Sequence, residues 1–119
     1  MSIERLSTDS LEKLLGNQIR EDVTCVIKFY SNGCPYCLAL KDTYETISRD
    51  FEDVLFFAFN IDDNPFITSI AKINGVPSVM LIKTGNRHKI KILEDPDTPH
   101  DELWYHPKDI SKFIQKEKR

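Results

Sequence analysis

Cys25-Val26-Ile27-Lys28-Phe29-Tyr30-Ser31-Asn32-Gly33-Cys34-Pro35-Tyr36-Cys37 changes character twice in thirteen residues. Cys25 to Tyr30 is short, β-branched and aromatic, which predicts a central strand. Ser31-Asn32-Gly33 signals a turn. From Cys34 onward the apolar positions take helical spacing. Cys37, Leu40, Tyr44, Ile47 and Phe51 share one face and predict a helix to about Arg49. Pro35 suits the first helical position, since its missing N–H would have no intrahelical partner there. Cys34 then stands at the helix start, where unpaired amides and the positive dipole end favour thiolate over thiol. Cys37 lies one turn on, facing inward, placed to attack a mixed disulfide formed on Cys34. The stretch reads as a dithiol–disulfide switch with an attacking and a resolving thiol.

On the N-terminal side, Ile3–Leu6 reads as a short edge strand. Ser7 or Thr8 caps a helix carrying Leu11, Leu14 and Leu15, ended by Gly16 or Asn17. On the C-terminal side, Val54–Phe59 is a strand. Asn64-Pro65 opens a short helix with Ile67, Ile70 and Ala71 inward, closed near Asn74-Gly75. Val79–Ile82 and His88–Leu93 are strands joined by the hairpin signal Thr84-Gly85-Asn86. Residues 94–106 are polar and Pro-containing, and Pro107 starts a last helix with Ile110, Phe113 and Ile114 inward. The order is βαβαβαββα. It predicts an α/β fold: a three-layer sandwich with a mixed central sheet and helices on both faces.

The 119 residues, 40% hydrophobic and 29% charged, fit one globular domain over residues 1–119. A net charge of −3 makes no whole-protein case for nucleic acid. Charge is uneven: residues 94–102 hold Glu94, Asp95, Asp97, Asp101 and Glu102 and no Lys or Arg, while the last turns are basic. No apolar run approaches a membrane span, and the start lacks a basic region followed by an apolar one. Three cysteines fit a reducing cytoplasm with one redox pair and a buried third thiol, Cys25. His88, His100 and His106 lack metal-ligand or catalytic spacing, and one CxxC is two ligands short of a closed zinc site; no metal is expected.

The element order, with CxxC opening a helix after the second strand, resembles the thioredoxin superfamily. Asn60-Ile61-Asp62-Asp63-Asn64-Pro65 looks like that family's segment after the third strand. Gly75-Val76-Pro77-Ser78 looks like its loop before the fourth, about forty residues beyond Cys37. The resemblance covers roughly residues 3–93 and 107–117; the connection 94–106 departs from it. It implies a thiol-disulfide oxidoreductase that reduces protein disulfides, with Cys34 and Cys37 as the redox-active pair and no bound cofactor. It also implies a cis peptide before Pro77, with Pro35, Tyr36, Val76 and Pro77 meeting the substrate. The partners so implied are protein disulfides and, as electron donor, a reductase flavoenzyme or glutathione, with the chain a monomer.

Other residues leave the family pattern. Pro35-Tyr36 is similar to the glutaredoxin dipeptide, yet Lys83-Thr84-Gly85-Asn86-Arg87-His88 replaces the Gly-Gly and acidic pair that hold glutathione there. Gly33 stands at the family's tryptophan, Lys28 at its buried aspartate and Ala58 at its lysine. Lys28 has two readings: a stem on the sheet with its head in solvent, or an ammonium near the thiols that favours thiolate and tunes Cys34. A glutathione-dependent reductase, and a binding subunit that does not use its redox pair, are the alternative functions.

Overall fold

The computed structural model describes residues 3–119. Met1 and Ser2, the first residues of the start read above for a leader, lie outside them. Strand β1 (Glu4–Arg5) precedes helix α1 (Thr8–Leu15), and β2 (Thr24–Tyr30) precedes α2 (Pro35–Ser48). Then come β3 (Leu55–Asn60), α3 (Ile67–Ile70), the hairpin β4 (Ser78–Lys83) and β5 (Lys89–Ile92), and α4 (Pro107–Glu117). The expected order βαβαβαββα is thus present.

The five strands lie in the order β1-β3-β2-β4-β5. β3 runs parallel to β1 and β2, while β4 runs antiparallel to β2 and β5. β2 is central, and Cys25 to Phe29 are all buried. Strand alternation divides them between two cores. Cys25, Ile27 and Phe29 join Leu11 of α1 and Ile67 of α3 on one face. Val26 joins Leu40, Tyr44 and Ile47 of α2 and Ile110 and Ile114 of α4 on the other. The same alternation sends Lys28 to the α2 face.

Ser7 caps α1, its side chain accepting from the Ser10 amide at 3.1 Å. Gly85 turns the β4–β5 hairpin with a φ of 88°, a conformation that costs glycine little. Its backbone is held from α1's end: Asn17 Oδ1 accepts from Gly85 N at 2.9 Å, and Asn17 Nδ2 donates to Gly85 O at 3.1 Å.

α3 differs from its expected form. Ile67 and Ala71 are buried as expected, but Ile70 is 53% exposed. The helix has four residues, barely one turn, so it presents a much narrower face than the expected helix would. It also ends earlier than Asn74-Gly75: Ala71 is its C-cap, and Lys72 takes the left-handed conformation at φ 59°.

Candidate active site

β2 delivers the chain to the site, and the next turn is braced from β3. Buried Asn60 donates through Nδ2 to Asn32 Oδ1 at 2.9 Å and accepts from the Asp62 amide at 2.9 Å. Asp62 Oδ2 in turn accepts from the Asn32 amide at 2.9 Å. This brace fixes the entry to α2. Asn60 and Asp62 belong to a segment singled out for its resemblance, but only the structure reveals that they hold the turn. Gly33 is exposed, and a Cβ built on it would meet nothing within 4 Å. No backbone constraint demands glycine there, and its lack of a side chain leaves Cys34 open from that side.

Cys34 is the N-cap of α2, and Pro35 occupies the first turn, as expected. The Cys37 amide donates to Cys34 Sγ at 3.1 Å. Cys34 and Cys37 form a disulfide, their Cα atoms 5.2 Å apart. Cys34 is half-buried, while Cys37 is 3% exposed beside Leu40 and Tyr44 on α2's inward stripe. Cys34 is therefore the more accessible of the two, and Cys37 lies towards the core.

Tyr44 ties this helix to the sheet. Its buried hydroxyl lies 3.1 Å from the Val26 carbonyl and 2.7 Å from that of Phe57. Beneath Cys37 a cavity of about 370 Å³ is lined in part by Lys28, Lys41, Tyr44, Glu45 and Ala58. Lys28 is 5% exposed, so its head does not reach bulk solvent as the first reading expected. Its Nζ sits 5.2 Å from the Tyr44 ring centroid and 5.6 Å from that of Tyr30. Ala58, its neighbour across the β2–β3 pairing, also lines the cavity and leaves it room. Burial, and secondarily the Lys41 charge, push the Lys28 amine down to about 8, against a smaller opposing effect of Glu45. Lys28 and Cys37 line the same cavity.

The Val76–Pro77 peptide is cis. Phe29 pairs with Ser78 in the β2–β4 ladder, so the chain leaving β2 towards Cys34 and the chain entering β4 from Pro77 meet at one end of the sheet. The aromatic pair of the 94–106 connection reaches the same place. Trp104 packs edge-on against Tyr36, ring centroids 5.6 Å apart, and the Tyr105 hydroxyl donates to Pro77 O at 3.3 Å. Sequence separation alone gave no sign that Trp104 would meet Tyr36.

Cys25 is free and 1% exposed, and burial pushes its thiol up to about 11, which suits a core residue. His100 and His106 serve the connection itself: His100 Nδ1 accepts from the Glu102 and Leu103 amides, both at 3.1 Å, and His106 Nε2 lies 2.6 Å from Thr98 O. Among the described residues no group of three or more His, Cys, Asp or Glu side chains is placed to hold a metal ion. Nor is any described helix long and apolar enough to cross a membrane.

The family model for Thioredoxin matches residues 3–103. A thioredoxin of Rickettsia bellii is 35% identical over 62% of this chain and 71% of its own length. One from Rickettsia prowazekii is 33% identical over 71% and 80%. Among solved structures, mitochondrial thioredoxin 3 from Saccharomyces cerevisiae in its oxidized form has a TM-score of 0.69 at 19% identity, over 96% of this chain and 94% of its own. The thioredoxin of Trypanosoma brucei brucei scores 0.69 at 19% identity, over 97% and 89%. At such identities the structural likeness establishes the fold.

Proposed function

The chain belongs to the thioredoxin family and is a thiol-disulfide oxidoreductase, and from that premise we propose that Cys34 attacks and Cys37 resolves in the reduction of protein disulfides. The observation that carries the assignment is the asymmetry of the pair: Cys34 caps α2 half-buried, and Cys37 lies behind it in the core. The Cys34 thiolate, supported by the Cys37 amide and the helix start, attacks one sulfur of the substrate disulfide. The other substrate sulfur leaves as thiolate and takes a proton from solvent. Cys37, as thiolate, then attacks Cys34 Sγ, forming the intramolecular disulfide and releasing the second substrate thiol. The substrate gains two electrons, and an external donor must return two to the protein.

Val76 and Pro77 meet the substrate backbone in this reading, with Pro35 and Tyr36 beside the scissile sulfurs. An extended substrate pairs with the chain at Val76 in β fashion. Lys28 favours the Cys37 thiolate by its charge and so tunes the pair towards the reduced state. The chain works as a monomer in the cytoplasm, a location supported by its single redox pair and free buried Cys25. The donor is a reductase flavoenzyme, with glutathione second because the residues after β4 lack the glutathione-holding pattern.

Insulin reduction and glutathione-disulfide exchange, each run with wild type and Cys34→Ser, test this assignment. Insulin reduction that is lost in Cys34→Ser is the expected result. Exchange without insulin reduction would replace it with the glutathione-dependent reading. Inactivity of wild type in both assays would leave a binding subunit.

A further inference from the structure

The connection 94–106 builds a second wall beside the disulfide. Trp104 has a φ of 66°, in the left-handed region that a non-glycine residue occupies where its surroundings fix it. Its fixings are visible. Trp104 and His100 exchange backbone hydrogen bonds of 3.0 and 3.1 Å. The indole Nε1 donates to Asp95 Oδ1 at 3.2 Å. Tyr36 packs against the ring from α2. The half-buried indole and the exposed carboxylate are therefore held as a unit.

Between this unit and the 75–77 turn lies a groove of about 250 Å³. Val76, Pro77 and Ile92 give it apolar surface, and Trp104 and Asp95 close one side. Asp95 is the only charged residue among its lining residues. We propose that Trp104 and Asp95 form a cation subsite for the residue flanking the reactive cysteine of the substrate, so that the protein prefers disulfides in extended peptides bearing Lys or Arg at that place. The proposal rests on the protein-disulfide reading above and deepens it.

The chemistry fits a long basic side chain. Its methylene stem covers the apolar floor, and its charged head meets the indole and the carboxylate. A peptide with Glu in that place brings like charge to Asp95. On the outer side Glu94, Asp95 and Asp97 share a hollow with Lys112 and Lys116 of α4, so the discrimination rests on Asp95 within the groove, where no basic residue lines the surface.

Trp104 is the only tryptophan, so its emission reports the groove directly. Two peptides, identical except for Lys or Glu beside an S-methylated cysteine, are titrated against the oxidised protein at low salt. The Lys peptide should bind up to about fivefold more tightly, the factor expected from an exposed ion pair at the upper end of its range. Asp95→Asn should bring the ratio close to one, and Asp95→Lys should invert it; thermal melts establish that both variants fold. Equal binding of the two peptides by wild type, or an undiminished ratio in Asp95→Asn, would overturn the proposal. The same sequences as disulfides are then compared by kcat/KM, where the same order is expected. Failure of wild type to reduce either disulfide, with the binding ratio intact, would remove the reductase reading and leave the cation subsite standing.

Discussion

Lys28 carries the sharpest residue-scale consequence. Burial lowers its amine from 10.5 to about 8. Between these values the unfolded chain holds a proton that the folded chain has released, so folding stability contributed by this residue rises with pH. The comparison of oxidised wild type with Lys28→Met isolates the effect, because Cys25 and the buried tyrosines titrate in both. Denaturant unfolding from pH 7 to 10.5 should show the stability difference moving in favour of wild type above about pH 8; a flat difference would contradict the burial. The redox consequence has its own readout. Removing the charge should stabilise the disulfide and make the pair more reducing, by on the order of 30 mV or tenfold in a glutathione equilibrium. The sequence placed Lys28 in the central strand but did not show that it is buried there, lining a cavity under α2. That outcome depends on Ala58 beside it and Tyr44 above it, two residues distant in sequence.

Among the elements, α2 matters most because it carries both sulfurs. Tyr44→Phe removes the hydroxyl that reaches the Val26 and Phe57 carbonyls in the interior. It should cost about 1–2 kcal/mol in denaturant unfolding without changing the element content seen by circular dichroism. Gly85→Ala places a Cβ on a backbone at φ 88°, against the Asp22 carboxylate. A loss of about 1–3 kcal/mol is expected, measured the same way. Elements with several turns were legible from their period. α2 and α4 bury Leu40, Tyr44, Ile110 and Ile114 as their spacing required. α3 was not, because four residues give too narrow a face to decide which isoleucine turns inward. The 94–106 connection has no period at all. Its placement follows from contacts with Tyr36 and Pro77, which no local pattern encodes.

At the scale of the whole molecule, the two cores cover the faces of the sheet and the redox pair lies at one of its ends. At that end the CxxC helix start, the Pro77 turn and the Trp104 connection converge. The element order and the site's main parts were readable because strand–turn–helix and Val-Pro are local signals; their convergence depends on the β2–β4 pairing. The central claim concerns which sulfur leads. Cys37→Ser, incubated with insulin and then digested and mapped by mass spectrometry, tests it most directly, since the resolving step is blocked and the mixed disulfide persists. A covalent insulin adduct on Cys34 is the predicted result; an adduct confined to Cys25, or none at all, would contradict it.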